Sequence, residues 1–120
     1  MKNLHHTILT AALCLSTALF AQNVKIYVSD ASGFTTGPWK IMQYDLNGSN
    51  PLTFIDEELG WPQDIVFLAD QNEVLISNLS TNRITKYNAT TGAYIEDFAT
   101  VPGGPTRMEL DSNGVLWVLQ

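Results

Sequence analysis

Six side chains in this sequence have types that suit ligand binding or metal coordination: Asp30, Trp39, Trp61, Asp64, Asn78 and Arg107. Carboxylate and amide oxygens are preferred ligands of Ca²⁺ and Mg²⁺, so Asp30, Asp64 and Asn78 are candidates for a divalent metal site. The indoles of Trp39 and Trp61 offer flat apolar surfaces on which a sugar ring or another apolar ligand stacks. Arg107 is a further binding candidate because its guanidinium pairs with carboxylates.

Each candidate also has a structural explanation. Asp30 and Asn78 would bond loop backbone at the end of a strand. The two tryptophans would pack one loop against the next, and Arg107 would pair with a carboxylate of a neighbouring strand. We favour the structural explanation for the metal candidates and for the tryptophans.

These candidates belong to a block that occurs twice and begins a third time. Residues 27–30 (Tyr-Val-Ser-Asp) return as 75–78 (Leu-Ile-Ser-Asn) and as 117–120 (Trp-Val-Leu-Gln). Further landmarks are Tyr44 and Tyr87, Phe54 and Phe98, Pro62 and Pro105, and Val74 and Val115, which lie 43, 44, 43 and 41 residues apart. Ser29 and Ser77 are 48 residues apart, which places an insertion of about five residues between Ser29 and Tyr44.

A period of 40-odd residues built from short strands predicts an all-β fold, a partial β-propeller. Residues 22–120 would hold about two four-stranded blades and the start of a third. An ordinary β-sandwich with similar strands is the alternative. The expected strands are 65–68 and 108–110, then 74–77 and 115–119, then 41–44 and 84–87, and last 52–55 and 93–99, with 24–28 as a further half-buried strand.

Loops of such blades collect on one face of a propeller. The loop that enters the inner strand and the loop between the second and third strands share that face, so all six candidates would gather there. Tight hairpins are expected at 70–73 and 111–114, where Asp, Asn and Gly favour turns.

Residues 1–21 have the pattern of a signal peptide. Lys2 supplies the positive start, residues 8–20 are apolar but too short to span a bilayer, and Ala21-Gln22 is a small-residue cleavage site. We therefore predict a secreted or periplasmic protein with no membrane insertion after cleavage, and a retained anchor is the alternative. Cys14 lies in the leader, so the exported part has no cysteine, which favours bacterial export over a disulfide-bonded animal domain.

The charge of the exported part argues against one class of partner. Residues 22–120 keep five basic and all 12 acidic residues, a net charge of −7. Because phosphate backbones repel such a surface and no Lys/Arg cluster offsets this, we expect no nucleic-acid binding.

Residues 75–92 and 103–118 resemble the NHL-type and streptogramin-lyase-like propeller repeat, which gluconolactonase-like enzymes share. The shared pattern is a Gly-Pro opening, an apolar inner strand, an Asp-x-Asn-Gly hairpin, an aromatic-Val strand, and then Asn-Arg-Ile and a Tyr-Asp turn. The resemblance covers nearly all of 24–120 and implies the fold far more than an activity. The long loop 31–39 and Leu119-Gln120 depart from it.

The first functional hypothesis is a binding or interaction module without catalytic residues of its own in this segment. Its partner would be a small molecule, a carbohydrate or a protein. The alternative is the N-terminal part of a metal-dependent propeller hydrolase or lyase, with Ca²⁺ or another divalent cation in the complete propeller. A streptogramin-lyase-type mechanism needs a His base, and residues 22–120 contain no His.

Two blades and a start do not close a ring, because propellers use about four to eight blades. We therefore expect either the remaining blades of a longer chain or other copies of this chain to complete the structure. We favour an N-terminal fragment of a longer propeller.

Overall fold

The computed structural model of the protein describes residues 24–31, 33 and 35–120. They form nine strands: β1 (Lys25–Asp30), β2 (Lys40–Asp45), β3 (Leu52–Ile55), β4 (Pro62–Leu68), β5 (Glu73–Asn78), β6 (Arg83–Asn88), β7 (Tyr94–Thr100), β8 (Arg107–Leu110) and β9 (Leu116–Leu119). One 3-10 turn at Ala69–Gln71 precedes β5. The all-β prediction is confirmed, and the predicted signal peptide at 1–21 lies outside the described residues. Among the residues that the structure describes, no helix has the length and apolar character needed to cross a membrane.

The strands form three antiparallel sheets, each in simple sequence order. Sheet 1 is β1-β2-β3, sheet 2 is β4-β5-β6-β7, and sheet 3 is β8-β9. The expectation of two four-stranded units is met only by sheet 2. Within the described residues sheet 1 has three strands, because β1 corresponds to the second strand of sheet 2 and no described strand precedes it.

Sheet 1 packs face to face on sheet 2 through one apolar cluster. Its buried members are Ile41, Ile55, Val74, Ile76 and Tyr87, of which Ile55 is the most exposed at 2%. Tyr27 adds ring contacts to Phe54 and Phe67, with centroids 5.0 and 4.8 Å apart. Burial of each large aliphatic side chain contributes about 1.5–3 kcal/mol, so this cluster is the main attraction between the two sheets.

Sheet 3 packs on the opposite face of sheet 2. Leu68, Leu75, Ile84 and Met108 form the buried cluster there, with Val118 beside them. Sheet 2 is therefore covered on both faces, and this explains its sequence. Strand β5 is buried from Val74 to Asn78 and reads as a continuous apolar run, whereas the half-covered β1 alternates exposed and partly buried residues.

Asx turns fix the hairpins. The Asp111 carboxylate accepts hydrogen bonds from the backbone N–H of Asn113 at 2.8 Å and of Val115 at 2.9 Å. The Asn88 amide oxygen accepts in the same way from Thr90 and Thr91, both at 2.9 Å. Side-chain acceptors of this kind satisfy turn N–H groups, which confirms the hairpin predicted at 111–114.

Gly48 and Gly92 hold equivalent turns of sheets 1 and 2, but their surroundings differ. Both have left-handed backbones, with φ of 79° and 72°. Nothing lies within 4 Å of a Cβ placed on Gly48, whereas a Cβ on Gly92 would be 1.9 Å from the carbonyl oxygen of Phe54. The β6–β7 turn thus approaches β3 so closely that only hydrogen fits.

We expect Gly92→Ala to destabilise the protein clearly more than Gly48→Ala. Both substitutions place an alanine at positive φ, which costs about 1 kcal/mol. Only Gly92→Ala also forces sheet 1 away from sheet 2, which adds about 1–3 kcal/mol. Urea unfolding of the two variants and the unaltered protein measures the difference, and equal losses would contradict the close approach.

Candidate functional site

The predicted site residues lie at strand ends on one side of the sheets. Asp30 ends β1 and Asn78 ends β5, while Arg107 begins β8 and Asp64 is the third residue of β4. Trp39 immediately precedes β2, and Trp61 immediately precedes β4. The strand assignments behind the site prediction are therefore correct, and the side chains differ in what surrounds them.

Asn78 is fully buried and its polar atoms are occupied within the protein. Its amide oxygen accepts from the backbone N–H of Gly60 at 2.8 Å. Its amide nitrogen donates to the Thr85 hydroxyl at 2.8 Å and to the Ile76 carbonyl at 3.1 Å. Asn78 thus fastens the β3–β4 connection to the end of β5, which is the structural role considered for it from the sequence.

A buried polar chain continues from Asn78 along β6. The Thr85 hydroxyl lies 3.1 Å from the Tyr87 hydroxyl, which donates to the backbone carbonyls of Glu57 and Glu58 at 3.0 and 3.1 Å. Burial raises the pKa of Tyr87 to about 12. Sequence reasoning treated Tyr87 as packing alone. Its signal was the pair of polar residues, Thr85 and Tyr87, alternating along an otherwise apolar strand.

Asp64 joins the first strands of sheets 2 and 3. One carboxylate oxygen accepts from the backbone N–H of Met108 at 2.6 Å, and the other accepts from Ile65 N–H at 2.9 Å. The Asp64 N–H donates to the Ser77 hydroxyl at 2.9 Å, and this hydroxyl donates to the Thr106 carbonyl at 3.1 Å. Asp64 and Ser77 therefore fix the position of β8 relative to β4.

Ser29 makes the corresponding link between sheets 1 and 2. Its hydroxyl donates to the carbonyl of Pro62. The acceptor of Ser77, Thr106, lies one residue further along its own repeat, and β4 has a register shift between Pro62 and Asp64. Sequence reasoning aligned the two serines but gave them no role, although their recurrence among apolar residues was the available signal.

An open groove brings Asp64 and Arg107 together. It has a volume of about 640 Å³ and is lined by Gln63, Asp64, Arg107, Met108, Glu109, Trp117, Val118 and Leu119. Arg107 and Glu109 are exposed on β8, so the groove carries groups of both charges. A guanidinium, carboxylates and an amide around one indole give hydrogen-bonding groups beside a flat apolar surface.

Trp117 is the residue of this groove that the sequence analysis missed. Its side chain is 64% exposed, and its indole N–H donates to the Asp111 carboxylate at 3.1 Å. Hydrogen bonds from the Val115 backbone and then from this indole lower the pKa of Asp111. The sequence contained a signal, because Trp117 stands where the earlier units have Tyr27 and Leu75.

The two tryptophans predicted for binding lie on separate connections. The Trp39 indole N–H donates to the carbonyl of Gly33 in its own loop, at 3.1 Å. Trp61 has a left-handed backbone, with φ of 51°, where the second unit has Gly104 with φ of 83°. This conformation costs a bulky residue about 1–2 kcal/mol, so the indole at 61 is kept against a backbone preference.

Asp30 pairs in register with Lys40 across the β1–β2 hairpin. The described residues include no group of three or more His, Cys, Asp or Glu side chains placed to hold a metal ion. Binding of Ca²⁺ or another divalent cation in a complete propeller stays a prediction.

Comparisons with protein-family models, with curated proteins and with solved structures return no match for this chain. The residues described above therefore carry the functional argument by themselves.

We expect Asn78→Ala to lower the free energy of unfolding by about 2–3 kcal/mol, because it leaves the buried Gly60 N–H and Thr85 hydroxyl without a partner. Asn113→Ala, at an exposed turn position, is the matched control and should change stability by less than about 0.5 kcal/mol. Thermal and urea unfolding measure both. A near-neutral Asn78→Ala would show that Asn78 is not needed for the fold.

Tyr87→Phe should cost about 1–2 kcal/mol at pH 8 by removing the buried hydroxyl. Because the pKa of Tyr87 is about 12 in the folded protein and about 10 unfolded, the native advantage over phenylalanine is complete below pH 10. It decreases as pH rises, since the unfolded state loses its proton first, and is lost through pH 12. Urea midpoints of both proteins at pH 8, 10 and 11 follow this convergence, and parallel profiles would contradict it.

Proposed function

We propose that this chain is an exported segment of an NHL-like β-propeller and that it acts as a binding or interaction module. Two observations support the propeller part. Successive antiparallel sheets stack face to face through clusters on both sides of sheet 2. The first strands β4 and β8 are linked at the same end by Asp64 and Ser77, as adjoining inner strands of neighbouring blades would be.

The groove around Trp117 is the observation that carries the binding role. Large exposed aromatic surface is uncommon on a protein unless a partner covers it, and Trp117 is 64% exposed. Its ring is oriented by the bond to Asp111, which lowers the entropy that a partner must remove on binding. Arg107, Glu109 and Gln63 beside it offer donors and acceptors for hydroxyl groups.

A carbohydrate fits this combination among small ligands. The apolar face of a sugar ring stacks on an indole, and its hydroxyls bond to planar polar side chains around the ring. Export, proposed from the leader at 1–21, would bring the groove into contact with extracellular or periplasmic glycans. The proposal assigns no catalytic step to this segment.

Saccharide titration of the ¹⁵N-labelled protein, at low protein concentration, tests the carbohydrate form of this proposal. We expect at least one member of a panel of mono- and disaccharides to shift the Trp117 indole resonance together with the Arg107 and Gln63 signals. Trp117→Ala should weaken that response at least about tenfold, the order of a lost aromatic contact.

Trp39→Phe is the matched control, because Trp39 lies on a different loop and bonds to Gly33. It should leave the saccharide response unchanged. A panel that shifts no Trp117 signal, or a response that depends on Trp39 instead, would contradict carbohydrate binding in this groove.

A further inference from the structure

The two interfaces of sheet 2 define how sheets of this repeat join. We call the face that carries Val74, Ile76 and Tyr87 the leading face, which packs on the preceding sheet. The face that carries Leu75 and Ile84 is the following face, which packs on the next sheet. Each interface in the protein therefore places the following face of one sheet against the leading face of another.

Sheet 1 exposes a leading face. Ile26 pairs with Tyr44 and Val28 with Met42, so these four residues share a face. They occupy the positions of Val74, Tyr87, Ile76 and Thr85 in sheet 2, all of which are 0% exposed. On sheet 1, in contrast, Ile26 is 37% and Val28 is 43% exposed.

Sheet 3 exposes a following face. Glu109 pairs with Trp117 as Val66 pairs with Leu75, so Trp117 takes the position of Leu75 and Leu119 that of Ser77. Leu75 is 1% and Ser77 0% exposed beneath sheet 3. Their equivalents Trp117 and Leu119 are 64% and 60% exposed.

We propose that the following face of sheet 3 packs on the leading face of sheet 1 in a second copy of this chain, which joins copies head to tail. This proposal rests on the proposed function of the Trp117 surface and names its partner. The occupant is a second copy because each copy presents both halves of an interface that the chain already makes twice within itself. Such a contact is heterologous, so it closes into a ring or continues into a longer assembly.

The charges on the two faces are compatible with this contact. By register, Asp30 and Lys40 lie on the leading face of sheet 1. Arg107 and Glu109 lie on the following face of sheet 3. Each face thus carries one acidic and one basic residue, and neither excludes the other by net charge. The overall acidity of each copy opposes approach at long range, so association should strengthen between 20 and about 150 mM salt as screening increases.

The test is the mass of the full chain, exported from a bacterial host and measured by light scattering and ultracentrifugation over a range of concentrations. We expect a mass above that of one copy that rises with concentration. Val28→Asp blocks the leading face and Trp117→Asp the following face, so each variant alone should be monomeric. An equimolar mixture should form a 1:1 dimer, because each variant keeps the face that the other has lost.

Ile95→Asp is the matched control, because Ile95 is a 45% exposed apolar residue on the outer strand β7. It should assemble like the unaltered protein. If either blocking variant fails to fold by circular dichroism, Ile26→Asp and Leu119→Asp replace it on the same faces.

A monomeric wild-type protein at all concentrations overturns the inference, as does assembly that survives both substitutions or a mixture that stays monomeric. A monomer whose Trp117 resonance still responds to a saccharide would overturn this inference and leave the proposed function standing. Assembly without any saccharide response would support the inference and remove the carbohydrate as ligand.

Discussion

The double-sided burial of β5 is the constraint on which the rest of the structure depends. Val74 and Ile76 pack toward sheet 1, while Leu75 packs toward sheet 3. A strand with both faces apolar is stable only between two partners, because leaving either face in water forfeits about 25 cal/mol for each Å² of apolar surface. The positions of sheets 1 and 3 follow from this one strand.

Polar contacts supply the specificity that apolar stacking lacks. Apolar faces slide at little cost, whereas a hydrogen bond between a buried donor and acceptor holds one alignment. Ser29 and Ser77 bond from one sheet to the carbonyls at the start of the next, and Asp64 bonds to Met108 N–H. Because these links cluster at one end, the first strands stay aligned there, and the groove beside Asp64 and Arg107 has a defined shape.

The sequence predicted the strands well because their signals are local. Alternation in β1, the Asn-Gly hairpin before β9 and the 43-residue spacing of Tyr44 and Tyr87 each depend only on neighbours along the chain. The site was harder, because exposure is set by which sheet covers which. Asn78 and Asp30 look equivalent in the repeat, yet only Asn78 lies beneath a neighbouring connection that consumes its side chain. Trp117 was missed for the same reason, since its equivalent Leu75 is buried.

The covering of sheet 1 by a later part of the chain also sets an order in time. Residues 25–55 are synthesised first, but the side chains that cover Ile41 and Ile55 come from Val74, Ile76 and Tyr87. An isolated antiparallel meander of this size is only marginally stable in water. The N-terminal strands must therefore wait, unprotected, until about thirty further residues have emerged. During that interval their unpaired edge is open to chaperones, to proteases and to the same strands of neighbouring nascent chains.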